Sequence, residues 1–472
     1  MKEKAAYDAV VVGAGPNGLA AAITLARAGK SVALFEANGA AGGAVRSAEL
    51  TLPDFLHDIC SSVYPLALGS PFFRTLPLAD HGVDWIQPPA PLAHPFDDGS
   101  AVVIERSVAA TASLLGRDAE RYRNLFGRLS AAWDKLAKNL LAPPAWPRHP
   151  IQLARFAAAA LQPARHFADH FTEARTKTVF AGLAAHSMLP LERWGSAAFG
   201  LVLGATAHAI GWPIVRGGAQ RLTDALCAIF ESYGGKIFLN HPVQNIAELP
   251  PSRAILCDVT SAQLISIAPD RLPRWYIDKL RKYRYGMAAY KIDWALSSAV
   301  PWRAPECRRA ATIHIGGSVD EIARSERSAW RGFRADKPFV LLVQPSLFDP
   351  LRAPAGRHTA WAYCHAPNGY RGDLVPVIEA QIERFAPGFR DTILARHVAG
   401  PAELERRNAN LVGGDINGGA ATLAQMFLRP TRSLYTTPAR GLYICSASTP
   451  PGGGVHGMCG YFAAQSALRQ MF

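Results

Sequence analysis

The chain has 472 residues, of which 49% are hydrophobic, 9% aromatic and 18% charged. That composition supports a large buried core, leaves room for about three domains, and excludes both a disulfide-stapled mini-protein and a disordered chain. Lysine and arginine number 50 against 37 aspartates and glutamates, a formal charge of +13, which favours an anionic partner (nucleic acid, an anionic membrane face or an acidic substrate) without choosing among them.

Residues 1–7 carry three charges and run straight into an apolar strand pattern, so no secretory signal is expected there. The seven cysteines are dispersed, odd in number and without a Cys-x-x-Cys pair. A disulfide framework and a cysteine zinc site are therefore not expected, and the expected setting is reducing and cytoplasmic.

Residues 8–12 (DAVVV) read as a strand buried on both faces. Gly13, Ala14, Gly15, Pro16, Asn17 and Gly18 follow at once, then an Ala/Leu-rich helical segment ending at Gly29, a second strand at 31–35 (SVALF), and Glu36. This is a βαβ unit with the dinucleotide fingerprint in its required context, and the acid stands 36 − 18 = 18 residues past the last glycine. Gly13 permits the tight turn, Gly15 lets backbone approach a pyrophosphate, and Gly18 lets the helix pack on the strand with its positive end toward the phosphates. Glu36 is placed to accept hydrogen bonds from a ribose.

A second glycine turn, Gly42-Gly43, lies a few residues on and can run beside the same pyrophosphate. NAD domains do not need that turn. In this respect, and in Gly13 to Gly18 and Glu36, the chain resembles the FAD-binding amine-oxidase-like enzymes. Many of those place an arginine directly after the glycine pair; here Ala44 stands there, and Arg46 is the candidate to supply the charge.

Residues 117–141 read as helix, with Leu125, Leu129, Trp133, Leu136 and Leu140 at helical spacing. Prolines 143, 144, 147 and 150 then mark a break, and Ala-rich helical segments run to about Gly211. Residues 195–213 (GSAAFGLVLGATAHAIGWP) carry no Asp, Glu, Lys or Arg and suggest a core or membrane-surface helix rather than a span. Another helix is expected after Gly217-Gly218, with strands at 236–239, 242–246 and 253–259. The stretch 271–428 looks like a second excursion, with strands at 287–295, 339–343 and 359–364 and an amphipathic helix near 375–385. In the amine-oxidase-like fold the residue matching Val243 meets the adenine through its backbone.

Residues 441–445 (GLYIC) form a compact strand, followed by a glycine-rich loop through Gly457 and a last helix. Gly452, Gly454 and Gly457 also satisfy G-x-G-x-x-G, but only 472 − 457 = 15 residues remain, too few for a second strand and ribose acid. No NAD(P) domain is therefore expected. The loop, with Ser448, Gly453, Gly454 and Val455, is instead expected to turn its backbone amides toward the edge of a flavin where negative charge accumulates. His456 is the one candidate catalytic residue. Cys445 and Cys459 read as small packing residues, and the scattered His186, His208, His314 and His365 show no ligand spacing.

Together the N-terminal fingerprint, Pro53-Asp54-Phe55 with Cys60-Ser61-Ser62, Gly211-Trp212-Pro213 with Arg216-Gly217-Gly218, Phe427-Leu428-Arg429-Pro430 and the closing loop resemble the phytoene desaturase-like FAD oxidoreductases. Within them, the nearest likeness is to the branch called pyridine nucleotide-disulfide oxidoreductase domain-containing protein 2. That branch often has Cys-Gly-Ala-Ser-Thr-His-Pro in the closing loop; here Ser446 replaces the glycine and Pro450 the histidine.

The resemblance implies an α/β fold: a discontinuous Rossmann-type FAD-binding domain, glutathione-reductase-like and amine-oxidase-like, at 1–70, 214–265 and 430–472. An α+β substrate domain with a helical insertion is expected at 71–213 and 266–429. It also implies FAD, no metal, and hydride removal from a lipophilic substrate of isoprenoid or carotenoid-like type, with oxygen or a quinone as electron acceptor. An amine or amino-acid oxidase, a redox-neutral polyene isomerase and a flavin-binding interaction protein remain the alternatives. No nucleic-acid motif emerges, so the basic excess is assigned to peripheral contact with an anionic membrane.

Overall fold

The computed structural model describes residues 7–472; the charged segment before Tyr7 lies outside the described residues. The β-branched run forms the strand Tyr7–Val12 at the centre of a five-stranded parallel sheet. Its order is Leu442–Ile444, Ser252–Cys257, Tyr7–Val12, Val32–Phe35, Lys236–Phe238. Pairing is in register at Val11↔Leu256 and Val11↔Leu34. Parallel strands require long crossovers, and here they are drawn from three distant parts of the chain.

Both faces of this sheet are covered. On one side the fingerprint helix Pro16–Arg27 packs between the helix Gln220–Ser232 and the closing helix Met458–Met471. A Cβ on Gly460 would fall 1.7 Å from the Asn17 carbonyl oxygen, so the last helix sits hard against the start of the first. On the other side Val10, Val12 and Ala33 meet Leu264, Ile267, Tyr276 and Leu280.

The second sheet has seven strands in the order Ile393–Ala399, Ala288–Leu296, His358–Ala366, Val340–Val343, Ala310–Ile315, Ala90–Pro95, Ala101–Ile104. All its pairs are antiparallel except Ala90–Pro95 with Ala310–Ile315. That parallel pair joins the two excursions from the nucleotide-binding sheet into one layer.

Three expectations change. The helix at 117–141 is two, Ala119–Ala131 and Trp133–Leu140, parted at Ala132. The strand at 242–246 is absent: Pro242 has no N–H to give to a ladder, and the chain runs as a loop into the short turn Ile246–Glu248. The uncharged stretch 195–213 folds as the helix Ser196–Ala209 inside the helical layer. Its glycines admit aromatic rings there, a Cβ on Gly204 falling 2.3 Å from the Phe126 ring and one on Gly200 3.0 Å from that of Phe180. This segment is core and does not meet a membrane surface. Among the described residues no helix is long and apolar enough to cross a membrane.

Candidate active site

A cavity of about 360 Å³ opens at the carboxyl ends of the parallel strands and extends over one face of the seven-stranded sheet, the place where open α/β sheets hold ligands. Its first half is made of glycine turns. Gly13 adopts φ +97°, and Gly42 and Gly43 adopt φ +122° and +54°, values that glycine tolerates without a Cβ penalty. Gly42 N–H donates to the Ala14 carbonyl at 2.8 Å, and a Cβ on Gly43 would stand 3.2 Å from Gly15 Cα. The second glycine turn thus lies directly on the first.

Glu36 ends the second strand, buried. One carboxylate oxygen accepts from Ala14 N–H at 2.8 Å, and the other from the backbone and side-chain amides of Asn38, each at 2.9 Å. Asn17 Oδ1 is buried without a partner, and Asn17 lines the cavity.

Asp258, which the sequence did not single out, lies under the fingerprint. It follows the strand Ser252–Cys257, and its Oδ2 accepts from Gly18 N–H at 2.9 Å. A Cβ on Gly15 would fall 2.8 Å from the same oxygen. Burial pushes this carboxyl up to about 7, against the opposing hydrogen bond from Gly18 and with a further push from Glu36. An acid after a strand carries no sequence signal until its 240-residue separation from Gly18 is closed by folding.

Of the remaining sequence candidates, Ser448, Gly454 and Val455 line the cavity with Gly13, Gly15, Pro16, Asn17, Glu36 and Gly43. Ala14, Gly18 and Gly42 stand just behind, shaping the turns. Arg46 turns back to donate to the Gly43 carbonyl at 3.2 Å and does not line the cavity. Gly453, packed on Asn417, and Val243, packed on the cluster behind the sheet, are also outside the lining.

His456 is placed behind the closing loop. Its Nδ1 accepts from Met458 N–H at 3.1 Å, its carbonyl accepts from Ser70 Oγ at 2.6 Å, and burial lowers its imidazole to about 4. So placed, it braces the loop and does not face the reacting space. Arg429 fastens the loop from the other side, donating to the Ala447 carbonyl at 2.9 Å. Cys445 and Cys459 are buried thiols pushed up by burial and also lie outside the lining.

The second half of the cavity is apolar and aromatic. Alternation along three strands brings Trp361 and Tyr363, Leu341 and Val343, and Thr312 to one sheet face, where Leu203 and Trp212 close over them. The Lys291 ammonium lies 4.9 Å from the Trp361 ring centroid and pairs with buried Asp293. Trp361 Nε1 donates to Ser62 Oγ at 3.1 Å, and Ser62 in turn donates to Asp58. Asp58 completes a fully buried ion pair with Arg352 at 2.9 Å, and Arg352 also holds Asp349 at 2.8 Å. This network ties the short strand Leu56–Asp58, beside the nucleotide cradle, to the second sheet.

These features fit FAD: glycine-bared backbone and a helix N-terminus for the pyrophosphate, Glu36 for a ribose, an unpartnered Asn17 acceptor for a polyol hydroxyl, and an apolar space beyond. Fold and site define an FAD-dependent oxidoreductase of the amine-oxidase and desaturase class.

The profile of the NAD(P)-binding Rossmann-like domain matches residues 11–75. Over its whole length the chain is similar to the phytoene desaturase-like oxidoreductases. It is 26% identical to the rat (Rattus norvegicus) pyridine nucleotide-disulfide oxidoreductase domain-containing protein 2, covering 99% of this chain and 94% of that one. It is 24% identical to a limonene dehydrogenase polypeptide of Castellaniella defragrans, covering 100% and 96%. Among solved structures, an oxidoreductase from Methanosarcina mazei superposes with a TM-score of 0.65 at 16% identity, over 98% of this chain and 99% of that one. Putrescine oxidase superposes with a TM-score of 0.63 at 16% identity over the same shares.

Proposed function

We propose that the protein dehydrogenates or desaturates a lipophilic substrate. The observation that carries this reading is the apolar, aromatic half of the cavity, continuous with the dinucleotide cradle and walled by Leu203, Leu341, Val343, Trp361 and Tyr363. Bound FAD supplies the hydride acceptor. The protein's part is to bind and position a C–H bond and to exclude water, which needs packed walls and no catalytic triad. The network Arg352–Asp58–Ser62 fixes Trp361 at that wall. The limonene dehydrogenase polypeptide and the phytoene desaturase of Rhodobacter capsulatus, the latter 25% identical over 52% of this chain, are named for isoprenoid substrates, which supports that class. Oxygen or a quinone is the proposed acceptor.

The purified protein is expected to be yellow, absorbing near ~450 nm as flavins do, and to bleach anaerobically with an isoprenoid substrate. A flavin-loaded protein that no isoprenoid bleaches, and that makes peroxide with amines, would overturn the reading. Against the amine reading, the Trp361 face that would receive a substrate cation already carries the Lys291 ammonium.

Peripheral contact with an anionic membrane is proposed on a new footing, since the uncharged helix is internal. Leu161, Trp194, Phe427 and Leu428 are exposed. The Leu161 carbonyl accepts from Gly195 N–H, and a Cβ on Gly195 would touch Leu423, so these segments adjoin. An apolar patch on a chain of +13 suits an anionic interface. Sedimentation with anionic but not neutral liposomes, reduced by salt and by Trp194→Ser, is the expected result; equal indifference to both would refute it.

A further inference from the structure

The far end of the cavity differs from its walls. The sheet face that carries Trp361 and Tyr363 continues to His365, and the one that carries Thr312 continues to His314, because alternate residues share a face. His186, from the turn after the helix Ala174–Ala185, meets His314 with Nε2 to Nε2 at 2.8 Å. Trp212 packs beside both, its ring centroid 5.9 Å from that of His186 and 6.1 Å from that of His314. Four histidines that the sequence scatters, His94, His186, His314 and His365, are thus gathered behind one end of the cavity, with Glu326 hydrogen-bonded to His365 at 2.7 Å.

Two polar atoms on the lining side of this cluster have no hydrogen-bond partner. Trp212 Nε1 and Thr312 Oγ1 are each buried and unpaired, on residues that line the cavity at 2% and 3% exposure. Buried donors are ordinarily satisfied, and leaving one unmade is costly. Elsewhere in the same half the walls are mainly carbon. The indole N–H can only donate, and the hydroxyl can donate or accept.

We infer that this end of the cavity is a head-group subsite for a neutral oxygen function, an alcohol or carbonyl, borne by an otherwise apolar substrate. Trp212 Nε1 donates to the oxygen, Thr312 Oγ1 completes the pair, and the His186–His314 pair forms the polar floor. The inference rests on the lipophilic-substrate reading and adds to it that the substrate is not a plain hydrocarbon. A carboxylate is the wrong occupant. Among the described residues no lysine or arginine lines the cavity, and an unpaired buried charge is expensive. Burial also holds His186 at about 3 and His314 well below its ordinary value, so both rings are neutral there.

The test uses the flavin-loaded protein and four probes of one skeleton: geranylgeraniol, its aldehyde, its acid and the hydrocarbon lacking oxygen. Dissociation constants are read from tryptophan quenching and from the flavin band shift. The alcohol and aldehyde are expected to bind about tenfold more tightly than the hydrocarbon. Thr312→Val, nearly isosteric, and Trp212→Phe should each erase most of that preference while leaving hydrocarbon affinity unchanged. If the hydrocarbon binds as tightly as the alcohol, or both variants weaken every probe alike, the subsite is refuted and the lipophilic reading stands. Tightest binding of the acid refutes the neutral assignment. Binding of none of the four overturns the lipophilic reading and the subsite with it.

Discussion

Replacing Asp258 with Asn should stabilise the flavin-free protein, and only above a definite pH. The carboxyl is fully buried, and burial raises it from 3.8 to about 7. A group whose folded value is raised contributes stability that is complete below its unfolded value and is lost as pH rises to the folded one. The gap between 3.8 and about 7, at about 1.36 kcal/mol per pH unit, is worth ~4 kcal/mol by pH 8. The amide side chain of the Asp258→Asn variant would keep an acceptor for Gly18 N–H, now bonded to the carboxylate at 2.9 Å, and would lose only the charge's attraction to the helix N-terminus, about 0.3–1 kcal/mol. Urea unfolding of the wild type and Asp258→Asn at pH 4 and pH 8 should therefore give a difference near zero at the lower pH and ~3–4 kcal/mol in favour of the variant at the higher. A second consequence concerns FAD, whose pyrophosphate adds negative charge at the same helix end: wild-type affinity should fall as pH rises through about 7, and the variant's should not. A variant equally destabilised at both pH values would refute the account and make the carboxylate a simple helix cap.

Glu36→Ala should lower FAD affinity about tenfold to hundredfold, the loss expected for charge-assisted hydrogen bonds, as read by titration of the flavin-free protein. Gly460→Ala puts a methyl 1.7 Å from the Asn17 carbonyl. The closing helix must then shift, costing about 1–3 kcal/mol or more, and FAD occupancy after purification should drop with the melting temperature. Arg352→Met strands the fully buried Asp58 and Asp349 and should cost about 3–5 kcal/mol in denaturant unfolding; a change under about 1 kcal/mol would show that the ion pair is not holding the two sheets together.

The βαβ unit was legible because its signals are local: a β-branched run, glycines at fixed spacing and an acid at the next strand's end. The helix Val375–Phe385 was legible for a similar reason, its apolar residues recurring within one short segment. What was not legible depends on contacts between distant segments. Asp258, Asn408 and Asn410 reach the cavity from loops whose sequences have no period. The histidines looked scattered because their common face emerges only after strands 310–315, 340–343 and 358–366 pair. His456 misled for the opposite reason: adjacency in sequence to a cofactor loop does not say which side of the loop a ring takes. The uncharged helix at 196–209 was ambiguous because an interior helix and a membrane-surface helix both lack charge; its glycines at 200 and 204, each opposite a phenylalanine ring, decide the matter through packing.

The closure of Gly460 on Asn17 also sets an order of events during synthesis. The fingerprint leaves the ribosome 442 − 18 = 424 residues ahead of the strand Leu442–Ile444, and the helix that covers it comes later still. Until then the apolar face of the first helix has no lid. The nascent chain must carry an unfinished nucleotide cradle through that whole stretch of translation, exposed to chaperones and proteases. Termination just before the closing helix should therefore yield a product that cannot retain FAD, although every residue of its N-terminal motif is present.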